Sequence, residues 1–443
     1  MFVLTELSWV RKALAVAGAL GVHAATASTL LGCGGAEDVS IGEESGALNM
    51  TRCFGSGTRC SASPGTEDVA PSSFTACTEL APGTLHEEFR RDLHADLCTG
   101  LECGLTLERL SVAPDGSAWV LGRLQRGYDD VTLVVSHFSV DGERIGHAEV
   151  VSTRIPSTSL DAELSVDDRG HAYVMRYSNY VPNADSDFEE AVWLHEYDSS
   201  AQPASAPVAF RGAAWTYVQA GSNGTVAVAG NAEDNAEQGF IAILDRAGSL
   251  RWNQTNVPIV GAARGRGVMG LSLLADDRTT LLADRQRWDD GSITLGLSRF
   301  GPDGNPVWDR SLTSGYEPAY PAALGSDSAG NVTTWALLSR TLHAVSSRTA
   351  LSQLESFDSE GQLRWAMRFE THNWQSGAFA VEPASGRIFV QTDRILEITS
   401  DGGRCRAYEV GSTFTTAIAL GKRADLYTLT GGTLTRYLGV SPE

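Results

Sequence analysis

Carboxylates and aromatic rings set between predicted strands are the residues of this chain with the most chemistry to offer. Acidic side chains gather at Asp129 and Asp130, at Asp185, Asp187 and Glu189, and at Asp289 and Asp290, while Trp215, Tyr217, Tyr316, Tyr320, His372 and Trp374 mark a second set of connections. An acidic rim interleaved with flat rings is the combination that stacks sugars or grips basic peptides. Two carboxylates brought to within about 5–10 Å of each other would instead act as acid and base in cleaving a glycosidic bond. The alternation Asp185-x-Asp187-x-Glu189 offers clustered oxygen ligands to a hard cation such as calcium, but without the glycine and terminal glutamate of an EF-hand loop. No other metal set and no cofactor is implied. The chain carries no Gly-x-Ser-x-Gly elbow, His-Glu-x-x-His pair, phosphate-binding glycine loop or Cys-x-x-Cys pair. His137 and His195 sit on predicted strands and read as packing histidines. A formal net charge of −20 excludes nucleic acid as a partner, because an acidic surface repels the phosphate backbone.

Seven cysteines divide into one and six. Arg11 and Lys12 precede a small, Ala-rich apolar stretch over residues 13–27, too short for a membrane span, and it ends in Leu30-Leu31-Gly32-Cys33. That ending resembles the bacterial lipobox, which implies cleavage before Cys33 and diacylglyceryl transfer to its sulfur. Acyl chains bury about 0.8 kcal/mol per methylene, so two or three of them anchor a protein to a membrane without a transmembrane helix. Gly34 after the lipid cysteine favours the outer membrane under the Gram-negative sorting habit. The other six, Cys53, Cys60, Cys77, Cys98, Cys103 and Cys405, form an even set in a chain expected to be exported, which favours disulfides. Fifteen pairings are open; spacing suits Cys53 with Cys60 and Cys98 with Cys103, leaving Cys77 for Cys405. The spacings lack the paired C-x2-C motifs of a zinc site.

The elements that would position these residues come from a repeat. Turns fall at Gly116, Gly170, Gly224, Arg278, Gly330 and Gly386, with about one unit every 54 residues. Within each unit a second hairpin reads apolar-x-x-x-Gly-x-x-x-Trp, as in Leu244, Gly248, Trp252; Phe300, Gly304, Trp308; and Phe357, Gly361, Trp365. Degenerate copies begin at Phe138, Tyr197 and Ile398. Period-2 alternation flanks both turns, so each unit predicts four antiparallel strands, A to D. Four strands per unit, repeated, make propeller blades, with the strand-D tryptophans wedged against the next blade. The stretches GFIAILDRAGSLRW (239–252) and SRFGPDGNPVW (298–308) resemble the bacterial seven-bladed β-propeller repeat family and, more distantly, quinoprotein-like propellers. The quinone-dependent dehydrogenases of this general fold use an adjacent cysteine pair, which this chain lacks.

Six units are clear and a seventh is one strand short: 415–420, 425–430 and 433–438 supply only A, B and C. A ring closes without exposed sheet edges when the other terminus adds the missing strand, so a segment near 85–93 is predicted to pair with 433–438. The expected fold class is all-β, a β-propeller of seven four-stranded blades closed by an N-terminal strand. The expected organisation is a signal peptide over 1–32, a polar, acidic tether over 33–52, a disulfide-rich collar with the closing strand over 53–104, and the propeller over 105–439. The functional expectation is a lipid-anchored, non-enzymatic binding or scaffold protein of the cell envelope. Its partners would be the membrane through Cys33 and a protein or carbohydrate at the B–C and D–A loops. The alternative is an envelope polysaccharide hydrolase or lyase using carboxylates in the propeller funnel.

Overall fold

Central strands of each repeat are apolar on both faces, and such strands need cover on both sides. DVTLVVSHF, residues 130–138, is buried at every position from Val131 onward. The cover is seen in the computed structural model, which describes residues 67–69, 77–98, 103–126, 130–153, 162–178, 191–211, 213–232, 235–258, 267–286, 293–312, 317–339, 350–371, 378–391, 394–409, 415–421 and 425–438. Three N-terminal strands, β1 (Glu67–Val69), β2 (Thr78–Glu79) and β3 (His86–Asp92), lead into a helical turn, α1 (Leu93–Leu97). Blade 1 is β4 (Cys103–Val112), β5 (Ala118–Arg126), β6 (Asp130–Phe138) and β7 (Arg144–Thr153). Blade 2 is β8 (Ala162–Val166), β9 (Ala172–Ser178), β10 (Ala191–Tyr197) and β11 (Val208–Arg211). Blade 3 follows with β12 (Ala213–Ala220), β13 (Val226–Ala232), β14 (Asn235–Leu244) and β15 (Leu250–Pro258). Blade 4 holds β16 (Val268–Leu273), β17 (Thr279–Gln286), β18 (Ile293–Phe300) and β19 (Pro306–Leu312). Blade 5 holds β20 (Glu317–Ser326), β21 (Val332–Ser339), β22 (Ala350–Phe357) and β23 (Leu363–Thr371). Blade 6 holds β24 (Phe379–Val381), β25 (Ile388–Gln391), β26 (Ile395–Ile398) and β27 (Arg404–Tyr408), and β28 (Thr415–Leu420), β29 (Leu426–Thr430) and β30 (Thr433–Leu438) begin blade 7.

The molecule is a seven-bladed β-propeller. Seven apolar clusters fill the seven blade-to-blade interfaces, each built from the facing sides of two neighbouring sheets. The ring closes as predicted: β3 lies antiparallel on β30, from His86 opposite Leu438 to Asp92 opposite Thr433, and completes blade 7 as its outermost strand. Polar bonds seal the same junction. Tyr427 donates its hydroxyl to the Gly116 carbonyl at 2.6 Å, and Arg436 donates to the Val140 carbonyl at 2.8 Å, both in blade 1.

The strand-D tryptophans bind each blade to the next. A Cβ on Gly304, Gly361 or Gly402 would fall 2.7 Å from the indole of Trp252, Trp308 or Trp365 in the preceding blade. Trp308 and Trp365 also donate Nε1–H to the carbonyls of Ser359 and Ser400, each at 2.9 Å. Phe89 of the closing strand takes the equivalent place, 2.8 Å from where a Gly142 Cβ would lie. The A–B hairpin of blade 4 differs from the sequence alignment by one residue. Its left-handed position is Asp277 (φ 65°), not Arg278, because Asp accepts that conformation where a longer side chain resists it.

The N-terminal strands run along the outside of the ring. β1 adds in parallel to the outer edge of β19 in blade 4, and β2 adds in parallel to β27 in blade 6. Disulfides hold this strap at two points: Cys77 to Cys405 in β27, and Cys98 after α1 to Cys103 at the start of β4. Within residues 77–98 the segment predicted as a collar is therefore built into the blades it touches.

Candidate functional site

The innermost strand of each blade turns its free edge to the ring axis, so side chains there decide what the centre presents. Three of these strands carry large polar or aromatic residues at one register: Arg109 opposite Leu121, Glu163 opposite Met175, and Tyr217 opposite Ala229. The other four blades place Gly270, Ala323 and Ala417 at that register, and Ala378 at its counterpart in blade 6, where its carbonyl accepts from Gln391 N. At this one register, charged and aromatic residues are thus found in blades 1 to 3.

Within the arc, Arg109 grips Glu163 with a two-pronged bond across the blade 1–2 boundary. Its Nε donates to Oε2 at 2.7 Å and its Nη2 to Oε1 at 2.5 Å, the geometry in which a planar guanidinium matches a carboxylate best. Nη1 donates to the Glu108 carbonyl at 3.0 Å. The charge of Glu163 raises the Arg109 pKa above its ordinary value; desolvation opposes this, while the direct hydrogen bond, Tyr217 and Glu108 reinforce it. A bulge between Leu107 and Arg109 in β4 brings two consecutive charged residues into the inner strand, and Glu108 forms its own ion pair with Arg123 of β5. The Arg109 side chain is 46% exposed although it lies mid-strand inside the ring, whereas that of Glu163 is 19% exposed. The pair is therefore only partly shielded from solvent.

The residues predicted for the ligand face distribute unevenly. Tyr217 belongs to the arc, but on a strand and not in a D–A loop. Trp215 and Tyr320 are also strand residues, at irregularities between Ala214 and Thr216 in β12 and between Ala319 and Ala322 in β20. β11 ends at Arg211 and β12 begins at Ala213, which leaves no long D–A loop to hold Trp215. Asp130 opens β6, and its Oδ1 accepts from Ser152 Oγ at 3.4 Å. Asp129, Asp185, Asp187, Glu189, Asp289, Asp290, Tyr316, His372 and Trp374 lie outside the described residues, as do Cys33, Cys53 and Cys60. Among the described residues, no three His, Cys, Asp or Glu side chains gather as a metal set.

Two histidines read as packing residues have such environments. His137 stacks on Trp119 at 4.2 Å, with its ring nitrogens 2.7 Å from the Ser199 carbonyl and from Ser117 Oγ. His195 accepts from Arg176 Nε at 3.0 Å; burial, aided by that cation, pushes its pKa down to about 4, so the ring is neutral. Arg109 and Glu163 are not among the residues singled out from sequence. The signal was present: 109, 163 and 217 are spaced by the same 54 residues as the turn glycines, and each of the first two interrupts an apolar strand.

No protein-family model and no curated protein matches this chain. Solved structures do. A streptogramin B lyase is 12% identical, with 76% of this chain and 97% of that one covered and a TM-score of 0.45. The Dos1 propeller is 8% identical (80% and 94% covered, TM-score 0.49), and the β-propeller domain of the Trilobed protease from Pyrococcus furiosus is 9% identical (76% and 93% covered, TM-score 0.49). Similarity at this level concerns the fold alone.

Proposed function

We propose that this protein is a lipid-anchored propeller of the cell envelope that binds a protein or carbohydrate partner without turning it over. The observation that carries the binding reading is the arc of Arg109, Glu163 and Tyr217. Arg109 and Glu163 hold partly exposed donors and acceptors in a fixed geometry on the inner strands, beside Tyr217, and pre-organisation reduces the entropy cost of capture. Export is supported by the disulfides Cys77–Cys405 and Cys98–Cys103, since such bonds persist in oxidising compartments. The lipobox-like Leu30-Leu31-Gly32-Cys33 supports attachment through Cys33.

Two measurements test this. Cys33→Ala should move the protein from the membrane to the soluble fraction and abolish incorporation of labelled palmitate; a variant that stays membrane-bound would remove the lipid anchor from the proposal. The wild-type protein should co-sediment saturably with isolated envelope fragments and release no new reducing ends. Release of such ends would replace the binding reading with a polysaccharide-cleaving one.

A further inference from the structure

We infer that Arg176 and Trp193 of blade 2 form a site for a ligand carboxylate, built on residues other than the Arg109 and Glu163 arc. The two stand opposite each other on β9 and β10, and the Arg176 guanidinium lies over the Trp193 ring, 5.6 Å from its centroid. The ring attracts a cation at that distance and so orients it. Arg176 Nε donates to His195 Nε2 at 3.0 Å, which fixes a second edge of the guanidinium.

The first argument is charge. Among the described residues, no group accepts from Nη1 or Nη2 of Arg176, and no carboxylate pairs with it. Desolvation accordingly moves its pKa down, against the pull of Tyr197. A half-buried cation of this kind has lost hydration and gained no counter-ion. Glu163 on the inner strand of the same blade does not fill the place. It lies opposite Met175 and Arg176 lies opposite Ala162, so the two point to opposite faces of the sheet, and Arg109 bonds both Glu163 oxygens. The remaining polar atoms reinforce the sign. His195 is neutral with Nε2 accepting, so its proton is on Nδ1; Trp193 Nε1–H and the Arg176 Nη groups likewise only donate.

The second argument comes from the repeat. Four residues before the apolar end of strand C, Val134, Trp193, Phe240, Gly296 and Gln353 are equivalent positions in blades 1 to 5. Their strand-B partners are Gly122, Arg176, Gly230, Ala283 and Ala336. Four blades complete the fold with Gly or Ala at this place, so packing does not call for an arginine in blade 2. Trp193 is equally apart from the packing. Val174 and Tyr197 on the same face join the cluster shared with blade 1, whereas Trp193 is half-buried and belongs to none of the seven apolar clusters.

Geometry and valence together set the ligand class. One guanidinium brings one positive charge, and its free Nη1 and Nη2 edge matches the two oxygens of a planar carboxylate. A phosphate monoester brings about two negative charges near neutral pH and would leave one unmatched in a half-buried place.

The test is calorimetric titration and saturation-transfer NMR of the full chain in detergent. The probes are galacturonate and N-acetylglycine, each beside its neutral methyl ester, and inorganic phosphate. At least one carboxylate should bind saturably and its ester about tenfold or more weakly, and raising salt from about 0.05 to about 0.5 M should weaken the binding. Arg176→Gln should weaken it by about tenfold or more, and Arg176→Lys, which keeps the charge without the planar fork, should fall between Gln and wild type. Far-ultraviolet circular dichroism confirms which variants fold; if Arg176→Gln does not, Arg176→Lys decides. Binding of galacturonate alone assigns the carboxylate to an acidic sugar, and binding of N-acetylglycine alone assigns it to a peptide C-terminus. Failure of both carboxylates, equal binding of acid and ester, tighter binding of phosphate, or unchanged binding by the Arg176 variants would overturn the assignment. If carboxylates fail while envelope fragments still co-sediment, this site falls and the binding reading above survives.

Discussion

Gly361 and Gly431 both have positive φ, at 77° and 53°, yet they occupy opposite extremes of crowding. A Cβ on Gly361 would lie 2.7 Å from Trp308 Cδ2, against an indole fixed by its own bond to Ser359, whereas nothing lies within 4 Å of the same position on Gly431. Gly361→Ala should therefore destabilise the protein by about 2–4 kcal/mol, combining backbone strain with overpacking. Gly431→Ala should cost about 1 kcal/mol from the backbone alone. Urea denaturation of the two variants measures the difference. Glu355 of β22 provides a pH-dependent counterpart. It is buried, with Oε1 accepting from Gln353 Nε2, and desolvation pushes its carboxyl up to about 8 even though Gln353 and Arg368 pull it down. The folded state thus keeps the proton that the unfolded state gives up near its ordinary value of about 4.3. Stability from this group is full below that value and is lost as pH rises toward about 8, at about 1.4 kcal/mol per pH unit while only the unfolded form ionises. Glu355→Gln should accordingly match wild type near pH 5 and exceed it near pH 8 by a few kcal/mol, as read from urea midpoints at the two pH values. A variant with the same pH slope as wild type would show that Glu355 is not the group responsible.

At the scale of elements, the closing strand depends on more than its ladder. β3 is mostly exposed along its length, and Phe89 is its one large apolar contact with blade 1. Its flanks are pinned instead: Cys77 ties the upstream segment to blade 6, and Cys98 ties the end of α1 to blade 1. Leu93 and Leu97 of α1 are buried in the same blade 7–1 cluster, and Asp92 caps the helix by accepting from His94 N and Ala95 N. The two bonds should contribute unequally. Cys77–Cys405 spans 328 residues and Cys98–Cys103 spans five, and the loop-entropy cost imposed on the unfolded chain grows with span. Cys77→Ser should lower stability by about 2–5 kcal/mol and Cys98→Ser by about 2 kcal/mol or less, measured by chemical denaturation under non-reducing conditions. Equal losses would mean that native packing around each bond, and not chain entropy, sets its value.

For the whole molecule, a chain shortened to begin at residue 93 would leave β30 as an open edge in blade 7. An unpaired hydrogen-bonding edge beside a cluster that has lost Phe89 is a template for association with other chains. That truncation should form concentration-dependent oligomers in analytical ultracentrifugation, whereas a chain beginning at residue 77 should stay monomeric under the same conditions. The asymmetry of the centre belongs to this scale as well. Seven blades of one pattern create seven equivalent inner positions, and only blades 1 to 3 fill theirs with reactive groups. A repeat fold separates its tasks in this way: strands B and C are fully occupied with packing, while the free inner edge can vary without unfolding a blade.

The sequence by itself determined the blade count, the strand order, the closing segment and the wedge role of the tryptophans. Each depends on a local pattern: alternation of period two, a glycine where φ must be positive, an apolar pair flanking a turn. The repeat then multiplies that signal six times. Where the local pattern was ambiguous the reading slipped, as at Arg278 and Asp277, where no glycine marked the turn. Tertiary structure alone decided that Trp215, Tyr217 and Tyr320 are strand residues, because irregular register extends an inner strand through what reads as a loop. It alone brought Arg109 to Glu163, 54 residues apart in sequence and 2.5 Å apart in the ring. The physical reason is that a charged residue on a strand carries no sign of which blade it will face. Only ring closure, which sets neighbouring inner strands side by side, turns two isolated interruptions of apolar pattern into one site.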